Sequence, residues 1–231
     1  MKKKLIIFGV SYTAATLMDG IFNKYLPDEI EIVGYLDDDL MKHGNLYFGY
    51  KVLGSFEDLN KIIKKYNVNS FAIGLADHRQ MLIRNYVYSI CNNFELIPIN
   101  SIHCKAIITK DSTLGCGAFL MPNVYIGIGT KIGYNSSIHV GVSIAEDCQI
   151  GNNVMIAGNS FIGGQAIIGD NVYIGPGSVI SSGAKIGSNT IIGGGSFVTK
   201  GVSDNKFAFG NPISKTIINL FYLQPPSIKP D

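Results

Sequence analysis

The chain has 231 residues and a formal net charge of +2, from 19 basic and 17 acidic side chains. This balance gives no electrostatic footprint for nucleic acid, and no apolar run approaches the roughly 18 residues that a membrane-spanning helix needs. The four cysteines follow neither a metal-binding nor a disulfide spacing, so we expect a reducing, cytoplasmic location.

The first 98 residues alternate short apolar runs with segments of helical spacing. Strands are predicted over residues 4–10, 29–36, 70–74 and 96–99, and helices over residues 13–24, 56–66 and 79–93. Residues 50–54 are interpreted as a short connection. Strands that alternate with helices predict a small parallel α/β sheet of the Rossmann-like kind.

From Ile102 to Val198 every sixth residue is aliphatic, over 16 hexads without an insertion. A second column, four residues later, holds small or β-branched side chains. A period of six fits neither a helix nor one alternating strand, but it is typical of a parallel β-helix of hexapeptide repeats. Three hexads form one triangular coil of about 18 residues, with the aliphatic column pointing inward.

These patterns divide the chain into three parts. Residues 1–98 are predicted to form the Rossmann-like domain, and residues 99–212 the β-helix. Residues 213–231 form a terminal cap or tail, in which residues 213–223 are expected to cover the open prism end, where strand edges would otherwise be unpaired.

Candidate ligand-binding residues of the first domain follow its strands, since α/β sheets bind ligands at the carboxyl ends of strands. Gly9, Ser11 and Tyr12 lie between the first strand and the first helix, where amide groups can face a phosphate. Asp37 and Asp38 follow the second strand, where they can accept from a ribose or a base. The alternatives are a tight turn that needs one glycine and a solvated acidic turn.

The order of these features resembles one family. A small Rossmann-like domain, Tyr35-Leu36-Asp37-Asp38-Asp39 at a strand end and uninterrupted hexads are similar to the group of sialic-acid O-acetyltransferases and bacillosamine-type nucleotide-sugar N-acetyltransferases. The resemblance implies a left-handed β-helix and a homotrimer. It also implies a nucleotide-linked amino sugar on the first domain, acyl-CoA between neighbouring β-helices, and no metal.

The active coil departs from the family pattern, which reads Asn-Thr-Gly and then Glu-His-Asp/Glu-Cys. His139 stands at the Asn position, Glu146 at the catalytic His position and Asp147 at the following acidic position. Met155 replaces a second family histidine. The resemblance therefore assigns His139, Glu146 and Asp147 to catalysis without the usual base. The first turn departs too, because Tyr12 follows where the family has Gly-His; Tyr12 is then a candidate to stack on a base or sugar.

Two mechanisms remain open for this coil. In the first, the Glu146 carboxylate lies beside His139, raises the pKa of the imidazole and orients it as the base. In the second, no strong base is needed, because an amine with a pKa near about 8 is already partly neutral at pH 7. A hydroxyl acceptor lacks that option and needs a base. The altered coil therefore favours N-acylation over O-acylation.

The repeat also suggests where the acyl donor binds. Gly164 follows Glu146 by one coil, and the resemblance implies that its amide polarises the thioester carbonyl, as in an oxyanion hole. Gly194 matches a backbone contact to the pantetheine arm, and Lys200 is a candidate for the CoA phosphates. The alternative for the glycines is that they only relieve tight corners.

The sequence thus predicts an acyl-CoA-dependent N-acyltransferase, using acetyl-CoA or a larger acyl-CoA. Its acceptor would be a dTDP- or UDP-linked amino-deoxy sugar for surface glycan, O-antigen or lipopolysaccharide synthesis. The alternatives are an O-acetyltransferase acting on sialic acid or a related sugar, and a non-catalytic trimeric sugar-binding scaffold.

Overall fold

The computed structural model describes residues 2–75 and 77–220. The strands of the amino-terminal region are β1 (Lys3–Phe8), β2 (Ile30–Leu36), β3 (Leu46–Tyr47), β4 (Tyr50–Gly54), β5 (Ser70–Ile73) and β6 (Ile97–Pro98). The helices are α1 (Tyr12–Lys24), α2 (Leu59–Tyr66) and α3 (Met81–Asn93). The strands form one sheet in the order β3-β4-β2-β1-β5-β6, parallel except for the β3–β4 pair.

The predicted alternation of strands and helices is confirmed, with two differences. The prediction of a connection over residues 50–54 was wrong, because this segment is β4 and pairs with β2. The strand forms because Val52, only 1% exposed, buries an apolar side chain on the sheet. The helices predicted from residues 56 and 79 begin as single 3₁₀ turns, Phe56–Asp58 and His78–Gln80, before α2 and α3.

From residue 101 the chain winds around three parallel sheets, the faces of a triangular prism. The first face contains β7 (Ser101–Ile102), β10 (Phe119–Leu120), β13 (Ser137–Ile138), β16 (Met155–Ile156), β19 (Tyr173–Ile174) and β22 (Ile191–Ile192). The second contains β8 (Ile107–Ile108), β11 (Tyr125–Ile126), β14 (Ser143–Ile144), β17 (Phe161–Ile162), β20 (Val179–Ile180) and β23 (Phe197–Val198). The third contains β9 (Thr113–Leu114), β12 (Lys131–Ile132), β15 (Gln149–Ile150), β18 (Ile167–Ile168), β21 (Lys185–Ile186) and β24 (Gly201–Val202).

The aliphatic column fills the interior of this prism. Each strand pairs with the strand one coil further on, so that Ile126 lies in register with Ile144 and Ile144 with Ile162. These residues and the other inward aliphatics form one buried cluster. Hexapeptide repeats arranged in stacked parallel sheets fit a left-handed β-helix.

The α/β region packs against the first face. Phe119 and Met121 of this face share a buried cluster with Leu5 and Ile7 of β1. The Ser101 hydroxyl donates to the carbonyl oxygen of Leu17 in α1, at 2.6 Å. The first face is therefore covered, and the second and third faces remain for other contacts.

The chain leaves the prism through an antiparallel pair of strands. β25 (Lys206–Gly210) continues the first face beyond β22, and β26 (Ile213–Ile218) pairs with β25. β26 thus lies along the outer edge of β25, and the role of residues 213–223 as a cap stays a prediction. Residues 221–223 of the predicted cap, and the tail to residue 231, lie outside the described residues. The three-part division of the chain stays a prediction.

None of the helices in the described ranges is long and apolar enough to cross a bilayer.

Adjacent isoleucines of β18 allow a matched test of the prism core. Ile168 is 2% exposed and points inward, whereas Ile167 is 37% exposed and points outward. We expect Ile168→Ala to lower the free energy of unfolding by about 2–5 kcal/mol, because it leaves a cavity. Ile167→Ala should change it by no more than about 1 kcal/mol. Urea denaturation measures both, and equal losses would contradict the inward register.

Candidate active site

A cavity of about 180 Å³ opens at the carboxyl ends of β1, β2 and β5. Its lining includes Val10, Ser11, Asp37, Asp38, Lys42 and Gly74. This is the edge at which parallel α/β sheets bind ligands. The structure therefore brings three of the predicted nucleotide-sugar-binding residues to one cavity.

Asp37 is 8% exposed, and hydrogen bonds from its own chain engage its carboxylate. Its Oδ2 accepts from the Val10 amide at 2.7 Å, and its Oδ1 accepts from the Asp39 amide at 3.0 Å. Lys42 Nζ lies 3.0 Å from Oδ2. Asp37 thus holds the turn after β1 against the end of β2, and its predicted contact with a ribose has to compete with these partners. Lys42 is a cation in the cavity that the sequence reasoning missed.

The turn after β1 is shaped by Gly9 and Ser11. Gly9 has a φ of +85°, and a Cβ at this position would overlap the side chain of Leu75. The Ser11 hydroxyl accepts from the Ala14 amide, which caps α1, and donates to the carbonyl oxygen of Gly74. Ser11 therefore lines the cavity, and Gly9 shapes the turn that carries it, whether or not either residue contacts a ligand.

The two remaining residues of the predicted nucleotide site differ in exposure. Asp38 lines the cavity, and its Oδ1 accepts from the Phe56 amide at 2.8 Å. Tyr12 is 86% exposed and makes a T-shaped contact with Phe48, with ring centroids 6.2 Å apart. Tyr12 is thus a solvent-facing residue beside the cavity, and its stacking on a base stays a prediction.

His139 follows β13 at the corner between the first and second faces. Its Nε2 atom is buried and has no hydrogen-bond partner among residues 2–75 and 77–220. Burial, and then the charge of Arg84, lower the pKa of His139 to about 4. The sequence-based expectation that a carboxylate raises this pKa is therefore wrong within one protomer, because the group that acts on the ring is a cation.

Glu146 is exposed and follows β14 at the corner between the second and third faces. Gly164 lies one coil above it, as the repeat predicts. A Cβ on Gly164 would meet the Glu146 carboxylate, and the Gln165 amide donates to the carbonyl oxygen of Glu146 at 2.8 Å. The carboxylate and the Gly164 backbone are therefore neighbours.

His139 and Glu146 lie at opposite edges of the second face. A face of six residues spans up to about 20 Å at roughly 3.3 Å per residue. In the described part of the chain no hydrogen bond or ion pair joins the two side chains. The predicted His–Glu pair is thus not formed within one chain.

Asp147 occupies a left-handed corner position with a φ of +54°. Its amide donates to the carbonyl oxygen of Ile128 at 2.9 Å, one coil below. A Cβ on Gly129 would overlap the Asp147 carboxylate. Asp147 is therefore part of a packed corner of the prism. Its catalytic role stays a prediction.

The corners of the prism differ in whether their backbone amides have hydrogen-bond partners. At the corner between the third and first faces, the Tyr134 amide donates to Asn152 Oδ1, and the Asn152 amide donates to Asp170 Oδ1. At the corner after β17, the Gly164 amide has no hydrogen-bond partner in the described residues. This N–H group is available to a carbonyl oxygen of a ligand, as an oxyanion-hole donor requires.

Gly194 and Lys200 lie near the last coil. Gly194 packs over Pro176 of the preceding coil, and Lys200 is exposed, with its carbonyl oxygen accepting from the Lys185 amide. A second cavity, of about 280 Å³, is lined by Gly195, Val179 and Phe197 among others, beside Gly194 on the second face. Gly194 therefore lies beside an open cavity, whereas Lys200 is exposed just before β24.

In the described ranges no cluster of three or more His, Cys, Asp or Glu side chains could hold a metal ion.

Comparison with known proteins agrees with the repeat. The family described as bacterial transferase hexapeptide (six repeats) matches residues 129–164 and 165–200. The matched residues lie within the prism. No curated protein matches the chain.

Solved structures match both parts of the chain. A mutant of GDP-perosamine N-acetyl transferase from Caulobacter crescentus, in complex with CoA and GDP-perosamine, is 21% identical with a TM-score of 0.80, covering 91% of this chain and 95% of its own. The acetyltransferase domain of PglB from Neisseria gonorrhoeae, in complex with acetyl coenzyme A, is 18% identical with a TM-score of 0.78, covering 93% and 99%. WeeI from Acinetobacter baumannii is 24% identical with a TM-score of 0.80, covering 94% and 100%. At these identities the matches show that the chain shares their two-part fold.

Two glycines with the same φ angle test the turn beside the cavity. Gly9 and Gly49 both have a φ of +85°, but a Cβ at Gly49 meets nothing within 4 Å. Each Gly→Ala change should destabilise the fold by about 1 kcal/mol, because of the left-handed conformation. Only Gly9→Ala also displaces the side chain of Leu75, which lines the cavity.

We therefore expect Gly9→Ala to weaken the binding of a nucleoside diphosphate about tenfold, equivalent to about 1.4 kcal/mol. Gly49→Ala should leave the affinity unchanged. Calorimetric titration with GDP, UDP and dTDP measures both variants. Equal affinities in the two variants would show that the turn after β1 does not form part of the nucleotide site.

Proposed function

We propose that the protein transfers an acyl group from acetyl-CoA or a larger acyl-CoA to the amino group of a nucleotide-linked amino-deoxy sugar. The main support is the extent of the fold match, which covers the α/β region and the prism together. One matching structure holds CoA and GDP-perosamine, and another holds acetyl coenzyme A. The product would be a precursor for surface glycan or O-antigen synthesis.

The acceptor fits the chemistry of His139. An imidazole with a pKa of about 4 is neutral at physiological pH, but it is too weak a base to remove a proton from a hydroxyl group. An amine with a pKa near about 8 is partly neutral at pH 7 and can attack a thioester without deprotonation beforehand. This comparison favours an amino acceptor over the hydroxyl acceptor of an O-acetyltransferase.

The reaction would proceed by direct attack of the amine on the thioester carbon. A C–N bond forms, the C–S bond breaks, and CoA leaves as a thiolate that takes up the proton given by the amine to Glu146. The Gly164 amide donates to the carbonyl oxygen while negative charge develops there. The Glu146 carboxylate, which neighbours Gly164, accepts the surplus proton of the amine. Neutral His139 accepts a hydrogen bond from the amine and orients it.

This mechanism needs two copies of the chain. His139 and Glu146 lie at opposite edges of the second face, so one protomer cannot supply both to one acceptor. In a cyclic trimer each contact joins two different patches, so the His139 edge of one protomer can meet the Glu146 edge of the next. We therefore propose a homotrimer with shared sites.

The outward side chains of the three faces support such a trimer. The second face presents Ile107, Tyr125, Phe161 and Val179, each about 39–60% exposed. The third face presents polar side chains, including Lys131, Gln149 and Lys185, and the first face is covered by the α/β region. An apolar column of this length is typical of a surface that is buried on association.

We also propose a cytoplasmic location. The support is that Cys91, Cys104, Cys116 and Cys148 are free thiols, which persist in a reducing compartment.

The transfer reaction is tested by thiol release from acetyl-CoA and 3-hydroxybutyryl-CoA. The acceptors are dTDP-, UDP- and GDP-linked 3-amino and 4-amino sugars, with free sialic acid as the hydroxyl case. We expect release only with amino sugars, and a kcat about 100-fold lower in Glu146→Gln, because the proton acceptor is lost. Glu95→Gln, an exposed change on the α/β region, serves as the control. Release with sialic acid alone would contradict the proposal.

The trimer is tested by charge placed on the second face. Phe161→Glu should dissociate the assembly, because it puts a carboxylate into an apolar contact. Ile167→Glu places the same charge on the neighbouring third face and should leave the mass unchanged. Light scattering after size-exclusion chromatography measures both, and a trimer that survives Phe161→Glu would place the contact elsewhere.

A further inference from the structure

Arg84 is a buried cation without a carboxylate partner in the described residues. It is 2% exposed, and each of its hydrogen bonds goes to a neutral oxygen. A buried charge without an opposite charge is costly, so its hydrogen bonds have to be complete for the fold to tolerate it. In α3 it lies on the same buried stripe as Met81, Val87 and Cys91, where an apolar residue would be expected.

The guanidinium joins the cavity to the prism. Nη1 donates to the carbonyl oxygens of Ile73 at 3.1 Å and Leu75 at 2.6 Å. These residues flank Gly74, which lines the cavity. Nη2 donates to the backbone and side-chain oxygens of Asn135, at 3.1 and 3.0 Å. One side chain therefore fixes the end of β5 against the coil that, four residues later, carries His139.

Asn135 is also the first member of an asparagine ladder. Each side-chain amide donates to the Oδ1 atom of the asparagine one coil further on, at 2.9–3.2 Å. Arg84 donates to Oδ1 of Asn135 and so supplies the donor that the first rung needs. The ladder consists of Asn135, Asn153, Asn171, Asn189 and Asn205. The anchor point of Arg84 is therefore held rigidly by the prism.

The same charge acts on His139. Arg84 is the charged group whose field bears on the ring. The residues in register with His139, one coil before and one coil after, are Met121 and Ala157, and neither is titratable. The unpartnered Nε2 atom of His139 is thus kept neutral by burial and by a cation that the prism itself positions.

We infer that Arg84 is a positioning residue for the transfer, tying the strand end that lines the nucleotide-sugar cavity to the coil that carries His139. This inference rests on the proposed function, because it concerns the distance between the bound sugar and the histidine. It adds a residue that acts through its neighbours without touching either substrate.

The test compares Arg84→Met, which removes the charge at similar length, with Arg84→Lys, which keeps the charge and loses the forked hydrogen bonds. Both variants should lower kcat at least tenfold and leave the KM for acyl-CoA unchanged. Nuclear magnetic resonance of the imidazole should show that His139 titrates at higher pH in Arg84→Met, and near its wild-type value in Arg84→Lys.

Asn171→Ala is the control for a purely structural role. It breaks the ladder one coil beyond Asn153, and should lower the melting temperature without changing kcat or the titration of His139. An unchanged kcat in both Arg84 variants would overturn the inference. So would a loss of kcat in Asn171→Ala as large as theirs, or an unshifted His139 in Arg84→Met. Wild-type protein that is inactive with every acceptor would instead refute the proposed function, since the effect of Arg84 is measured relative to wild-type turnover.

Discussion

The uninterrupted stacking of aliphatic residues inside the prism is the constraint on which the rest of the structure depends. Because residues 102–198 carry no insertion, each corner residue in these coils lies over the residue 18 positions earlier. This register puts Gly164 above Glu146 and builds the asparagine ladder that begins at Asn135. It equally keeps His139 and Glu146 apart, since they belong to different corners. The coil register therefore both stabilises the prism and separates His139 from Glu146.

The covering of the first face by the α/β region has a further consequence. It buries the outward side chains Phe119 and Met121 against residues of β1. The Nε2 atom of His139, at the edge of this face, is buried as well. The second face remains apolar and open between the His139 and Glu146 edges. We interpret this face as the place where a neighbouring protomer and the acyl-CoA arm meet. Under the proposed function the nucleotide sugar binds in the cavity on the α/β region. The acceptor would then approach from the covered side and the donor from the open side.

Much of the fold follows from the sequence, because the period of six is long and unbroken. The alternation of strands and helices in the first region, and the coil register, need only local spacing and turn residues. The role of residues 50–54 was missed because a two-residue partner strand, β3, gives no pattern of its own. The surroundings of His139 were missed because they depend on contacts between distant segments. Arg84 gave one readable signal, a charge on the apolar stripe of α3, but its partners Ile73 and Asn135 are set by packing that spacing alone does not specify.

The central claim is that His139 and Glu146 of different protomers act on one acceptor, and subunit mixing tests it most directly. His139→Asn and Glu146→Gln proteins, each with low activity, would be unfolded together, refolded and checked for mixed trimers by mass spectrometry. A mixed trimer then has one site with both native residues, so an equal mixture should recover about a quarter of wild-type activity. Mixed trimers with no more activity than their parents would contradict the shared site.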